Sequence, residues 1–116
     1  MKVRLPKGVG GGPQDMNSMM RQVQKFQEER EALAAELEAR EYEVAAGGGA
    51  VKVIITGERR VSEIKISPEI VDEDDIETME DIIVAAVNEA IGRVEAEAAA
   101  EMSALAAKYG IPEGAF

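Results

Sequence analysis

One apolar period runs unbroken from Ile76 to Tyr109, and it limits what the rest of the chain can be. Ile76, Met79, Ile83, Val87, Ile91, Val94, Ala98, Met102, Leu105 and Tyr109 recur at a mean spacing of about 3.6 residues, the mark of one helix face. Asp72-Glu73-Asp74-Asp75 opens the segment, and Gly110 and Pro112 stop it. Such a helix covers about 37 residues and is roughly 55 Å long. A strand of about eight residues spans only roughly 26 Å. The first half has a broad apolar stripe, because Ile82, Ala86 and Ala90 flank the main line, and it can cover a sheet. The thin second half, rich in alanine and glutamate, must project past that sheet.

The sheet comes from the middle of the chain. Tyr42, Val44 and Ala46 alternate with Glu43 and Ala45; Val51, Val53 and Ile55 alternate with Lys52, Ile54 and Thr56. This period of two predicts two strands on either side of Gly47-Gly48-Gly49. Gly57-Glu58 predicts a hairpin turn in which the glycine supplies a positive φ. A third strand runs from about Arg60 to Ile66, and Pro68 closes it. Val61 is out of phase with Ile64 and Ile66, which predicts a bulge near Ser62. Before the sheet, Met16, Met19, Val23, Phe26, Leu33 and Leu37, with Arg30 on the same line, predict a first helix starting near residue 15 and capped by Asp15 or Asn17. Its stripe is narrow, which suits helix-on-helix packing, and at roughly 40 Å it too must overhang the sheet.

These elements define one α+β domain of order α-β-β-β-α over residues 15–110, with a three-stranded antiparallel meander. A flexible basic tail at 1–14 and a short tail at 111–116 flank it. Narrow-striped overhanging helices are stable when they pack on each other or on a partner, and a three-stranded sheet has two open edges. The sequence therefore predicts a homodimer with a shared sheet core and projecting helical arms.

Composition removes most chemistry. The 116 residues contain neither cysteine nor histidine, so thiol chemistry, zinc–thiolate sites and the commonest general base are missing. Aromatics make up 3%, which leaves no platform for base stacking. The carboxylates are spread along helix faces, as in a solvated surface, and no enzyme, cofactor or small-molecule substrate is expected. No apolar run matches a membrane span or a signal peptide, so the expected location is cytoplasmic.

Charge is unevenly distributed. The net charge is −10, yet residues 1–27 carry Lys2, Arg4, Lys7, Arg21 and Lys25 against Asp15 alone. A basic end on an acidic body points to a polyanion or, more plainly, to a solubilising tail. Arg21 and Lys25 are four apart and share a helix face, with Asn17, Ser18, Gln22 and Gln24 as neutral donors nearby. No base-reading helix is evident, so any contact with DNA should be to the phosphate backbone. Two other motifs have structural readings. The glycine triplet leads into a strand, whereas a phosphate-binding loop leads into a helix N-terminus. Asp72–Asp75 lacks the alternating ligands of a calcium loop and fits helix capping, so no metal is assigned.

The chain resembles the YbaB/EbfC family of bacterial nucleoid-associated proteins. The resemblance rests on Met19-Met20-Arg21-Gln22-Val23-Gln24-Lys25, on Gly47-Gly48-Gly49-Ala50-Val51-Lys52-Val53, on Gly57, on Val61 to Ile66 with Pro68, and on Glu80 to Ala90. It implies a homodimer with tweezer-like arms around an antiparallel sheet. It also implies binding of double-stranded DNA with little sequence preference, in nucleoid organisation and gene regulation. The DNA-binding residues expected here are Lys2, Arg4, Lys7, Arg21 and Lys25. The rival expectation, favoured by the acidic charge, is a module whose arms grip another protein, one of recombinational repair for example, without touching DNA.

Overall fold

The computed structural model describes residues 13–111. The element order is α1 (Pro13–Ala39), β1 (Glu41–Ala46), β2 (Val51–Thr56), β3 (Val61–Ile66), a single 3-10 turn (Pro68–Ile70) and α2 (Ile76–Lys108). The strands form one antiparallel sheet in the order β1-β2-β3, the expected meander. The bulge is where the phase change put it. Ile54 faces Glu63 and Ile55 faces Val61, so Ser62 is the extra residue, and its hydroxyl donates to the Ile54 carbonyl at 3.2 Å.

The core lies between one face of the sheet and the first half of α2. Val51, Val53 and Ile55 of β2 are fully buried there, each contributing about 1.5–3 kcal/mol. Tyr42 and Val44 of β1 join them. From α2 the residues that meet the sheet are Ala86, Ala90 and Val94. The sequence suggested a line through Ile83, Val87 and Ile91, but these are half-buried on the flank. The alanines take the centre because their small side chains let the helix approach the sheet closely, and Ile83, Val87 and Ile91 pack along one side of the contact with Ile82 on the other.

Both hairpins depend on backbone that other residues would strain. Gly47, Gly48 and Gly49 adopt φ of 63°, 68° and 91°, a left-handed run that closes the β1–β2 turn. Gly57 plays a different part from the one expected. The positive φ of the β2–β3 turn falls on Arg59, at 65°, and Gly57 is needed for space. A Cβ on Gly57 would sit 1.7 Å from the Leu37 carbonyl oxygen. Its N–H donates to the Arg40 carbonyl at 2.9 Å, which fastens the turn to the end of α1.

Helix ends follow the sequence signals, with one shift. α1 starts at Pro13, two residues early, since proline fits the first helical position where no N–H partner is needed. Asp15 therefore lies in the first turn rather than at the cap, and Asn17 lies inside the helix. Asp75 caps α2 by accepting from the Thr78 N–H at 3.3 Å, and Asp72 accepts from the Asp74 N–H at 2.9 Å. At the other end Gly110 donates to the Ala107 carbonyl and Ile111 to that of Ala106. Pro112 lies outside the described residues.

The two helices make an arm. The second half of α2 leaves the sheet, and α1 runs antiparallel beside it. Arg40 pins the root by donating to both carboxylate oxygens of Glu101 and to Glu36 at 2.7 Å. Those two carboxylates hold the Arg40 guanidinium well above its ordinary pKa. The radius of gyration is 23.0 Å, against about 13 Å for a compact chain of this size. The longest extent is 85 Å.

Only part of the expected α1 stripe is covered. Phe26 and Leu37 are buried and Leu33 is half-buried, but Met16, Met19 and Val23 are exposed. The cause is length: α2 ends opposite Phe26, so the first turns of α1 run past the end of α2 with little to cover them.

Candidate nucleic-acid interface

The far end of the arm is where the first expected site residues lie. Arg21 and Lys25 are one turn apart on α1, both exposed. Neither is held in an ion pair among the described residues. Two cations elsewhere are engaged: Arg59 with Glu95 at 3.6 Å, and Arg93 with the Glu43 carbonyl at 3.4 Å while over the Tyr42 ring. Lys2, Arg4 and Lys7 lie outside the described residues.

The structure adds a cation that sequence spacing did not reveal. The last turn of α2 brings Lys108 beside α1, where its Nζ donates to Glu29 Oε1 at 3.0 Å. Arg21, Lys25 and Lys108 then line one open groove of about 520 Å³, with Ser18 and Gln22 as neutral donors and with Glu29 and Tyr109 in its wall. Lys108 did carry a signal, since a cation in the last helical turn complements the helix dipole. Its place opposite Lys25 depends on how two segments far apart in the chain align.

Tyr109 and Phe26 set that alignment. Their rings meet edge to face, centroids 5.5 Å apart at 65°. The Tyr109 hydroxyl donates to Glu29 Oε2, and Lys108 Nζ lies 5.6 Å from the Tyr109 ring centroid. Glu29 is thereby held below its usual carboxylate pKa, first by the Tyr109 hydroxyl and then by Lys108. The same contact raises Tyr109, because ionising its hydroxyl would place two negative charges together. Glu29 thus fixes the end of α2 to α1 while Arg21 and Lys25 stay open to a ligand.

The glycine triplet belongs to a different part of the molecule. The chain passes from Gly47–Gly49 directly into β2, with no helix N-terminus behind the turn. A Cβ on Gly47 would come 2.8 Å from Ile82 Cγ2, so this turn seats against α2.

An acidic α+β body bearing a long helical arm with cations on one face at its tip is the class of protein that this geometry defines. Comparison with known proteins gives the family. Residues 12–109 match the YbaB/EbfC DNA-binding family, and the chain belongs to it. A nucleoid-associated protein of Clostridium botulinum is 46% identical over 112 residues, which cover 97% of this chain and 96% of that one. One from Clostridium acetobutylicum is 43% identical over 105 residues, 90% of this chain and 92% of that one. An uncharacterised protein of Helicobacter pylori, solved by crystallography, shares the fold with a TM-score of 0.53 at 21% identity, covering 65% of this chain and 87% of that chain.

Proposed function

We propose that this chain is a nucleoid-associated protein of the cytoplasm that holds double-stranded DNA by its phosphates, as a homodimer and with little sequence preference, in nucleoid organisation and gene regulation. The observation that carries the reading is the set of Arg21, Lys25 and Lys108 on one face of the arm tip, on a chain whose net charge is −10. The rest of the chain holds most of the acidic residues, which places contact at the tip and at the basic residues Lys2, Arg4 and Lys7 that precede it in sequence. Flexible side chains reaching phosphates carry no base code. Membership of the family and the names of the relatives support the same function.

The dimer is supported by what α2 leaves uncovered. Arg93 ties one flank of α2 to β1, and the helix lies over β1 and β2. Val61, Ile64 and Ile66 of β3, on the same face of the sheet, remain 39%, 41% and 38% exposed. Val84 of α2 and Val71 beyond β3 are also open, each at 58%. A second copy that covers this face completes the core and places two arms on one particle. Ile64→Lys, which puts a charge in that contact, should break the sheet-mediated dimer, seen by sedimentation at low protein concentration.

Gel-shift titration across salt concentration tests DNA binding. Each phosphate contact contributes about 0.9 to the slope of log affinity against log salt. A dimer carrying Arg21→Gln and Lys25→Gln loses four contacts, so its slope should shrink by about 3.6 and its affinity should fall at every salt concentration. An unchanged slope would refute the assignment of these two residues. DNA capture that vanishes after nuclease treatment, with no protein partner retained, separates this function from that of a protein-gripping arm.

A further inference from the structure

The tip of the arm has a second face, and it is apolar. Met16, Met19, Met20 and Val23 are 66%, 64%, 66% and 55% exposed where α1 runs past the end of α2. Gln24 and Gln27 border them, and Met19 and Val23 continue the surface to Phe26 and Ile111. Among the described residues no charged side chain lines these two surfaces, while Asp15 and Arg21 share an adjoining open surface with Met20 and Gln24. At about 100° per residue, this line lies roughly 150° around α1 from Arg21 and Lys25. A duplex held by the cations therefore leaves the methionines open.

Two features of this strip identify what covers it. On a chain of charge −10, a strip whose centre carries no charge, with Asp15 and Arg21 only at its border, is where two copies can approach with least repulsion. The strip is also complementary to itself. An antiparallel pair of α1 helices, with the twofold axis between Met19 and Met20, sets Met16 opposite Val23 and Met19 opposite Met20. At its border it sets Asp15 opposite Gln24, so no like charges meet. Methionine side chains adapt readily to such a contact. We propose that the Met16–Val23 face of α1 docks antiparallel on the same face of a second copy, joining dimers tip to tip. The inference takes the β3-mediated dimer as its unit. Because the cations face away from the seam, each junction presents two basic faces, one from each arm.

Sedimentation equilibrium of the full chain without DNA tests this. The wild type should pass from dimers to tetramers and longer species as concentration rises. Met16→Gln with Met20→Gln, neutral changes at exposed helical sites, should weaken that step at least about tenfold. Gln27→Leu, which widens the apolar strip, should strengthen it. Ile64→Lys should leave tip-to-tip pairs intact while breaking the sheet contact, so failure of the dimer and failure of the tip contact read differently. A wild type that stays dimeric at every concentration would overturn the proposal, as would a double glutamine variant that assembles like the wild type. Unchanged assembly with lost DNA affinity would also overturn it and make the methionines a DNA-facing wedge.

Discussion

Gly57→Ala should be among the most damaging single-methyl changes in this protein, although Gly57 lies in an exposed hairpin turn. The added Cβ would stand 1.7 Å from the Leu37 oxygen, 2.6 Å from the Leu37 carbonyl carbon and 2.9 Å from Glu38 Cα. All three are backbone atoms, so no side chain can swing aside. To restore an ordinary contact the turn must retreat by well over an ångström. That stretches the 2.9 Å hydrogen bond from the Gly57 N–H to the Arg40 carbonyl past useful length. The lost bond costs about 1 kcal/mol and the forced backbone shift about 1–3 kcal/mol, together about 2–4 kcal/mol. For a chain of this size that is a fall of roughly 10–20 °C in Tm. Gly48→Ala is the control: its φ is 68° but nothing lies within 4 Å, so only the left-handed strain of about 1–2 kcal/mol applies. Thermal unfolding followed by circular dichroism at one protein concentration ranks the two. If Gly57→Ala melts within a few degrees of the wild type, or above Gly48→Ala, the close approach is not what the site requires. Arg40 also pins the arm to Glu101, so the same variant should weaken DNA binding although Arg21 is roughly 24 Å up the helix from Leu37.

Three further outcomes follow from the arm and the caps. Phe26→Ala removes a buried ring that meets Tyr109 edge to face and should cost about 3 kcal/mol, seen as faster hydrogen exchange in α1 while the β2 amides stay protected. The Glu29 contact should be lost at both pH extremes. Its carboxyl is depressed in the folded protein, so its stabilisation is complete above the ordinary value of 4.5 and fades as pH falls through the lower folded value. Tyr109 is raised, so its share is complete below 10.0 and fades as pH climbs through the higher folded value. In a Tyr42→Phe background, an ultraviolet titration should put the Tyr109 midpoint above 10.0 and move it down when Glu29→Gln is added. Asp75→Ala should cost about 1 kcal/mol by denaturant melt, because the Thr78 N–H and hydroxyl lose their acceptor.

What the sequence determined by itself is everything carried by a local period or a local stop. Alternation at Tyr42–Ala46 and Val51–Ile55 specified two strands, and the phase slip between Val61 and Ile64 specified the bulge at Ser62. The long period from Ile76 specified a helix that must outrun its sheet, and the aspartates and Gly110 marked its ends. Each signal lies within one turn or a few residues, where backbone geometry reads it directly. Tertiary structure decided the rest, because it depends on distances between segments far apart in the chain. Which line of α2 meets the sheet was settled by the small size of Ala86 and Ala90, not by where its largest apolar residues fall. Gly57 is required by the Leu37 carbonyl, a neighbour that no spacing rule places there. Lys108 joins Arg21 and Lys25 only because Phe26 and Tyr109 fix the register of two antiparallel helices. The methionines at the tip fit a helical stripe as well as Phe26 does, and they stay exposed because α2 stops short of the end of α1.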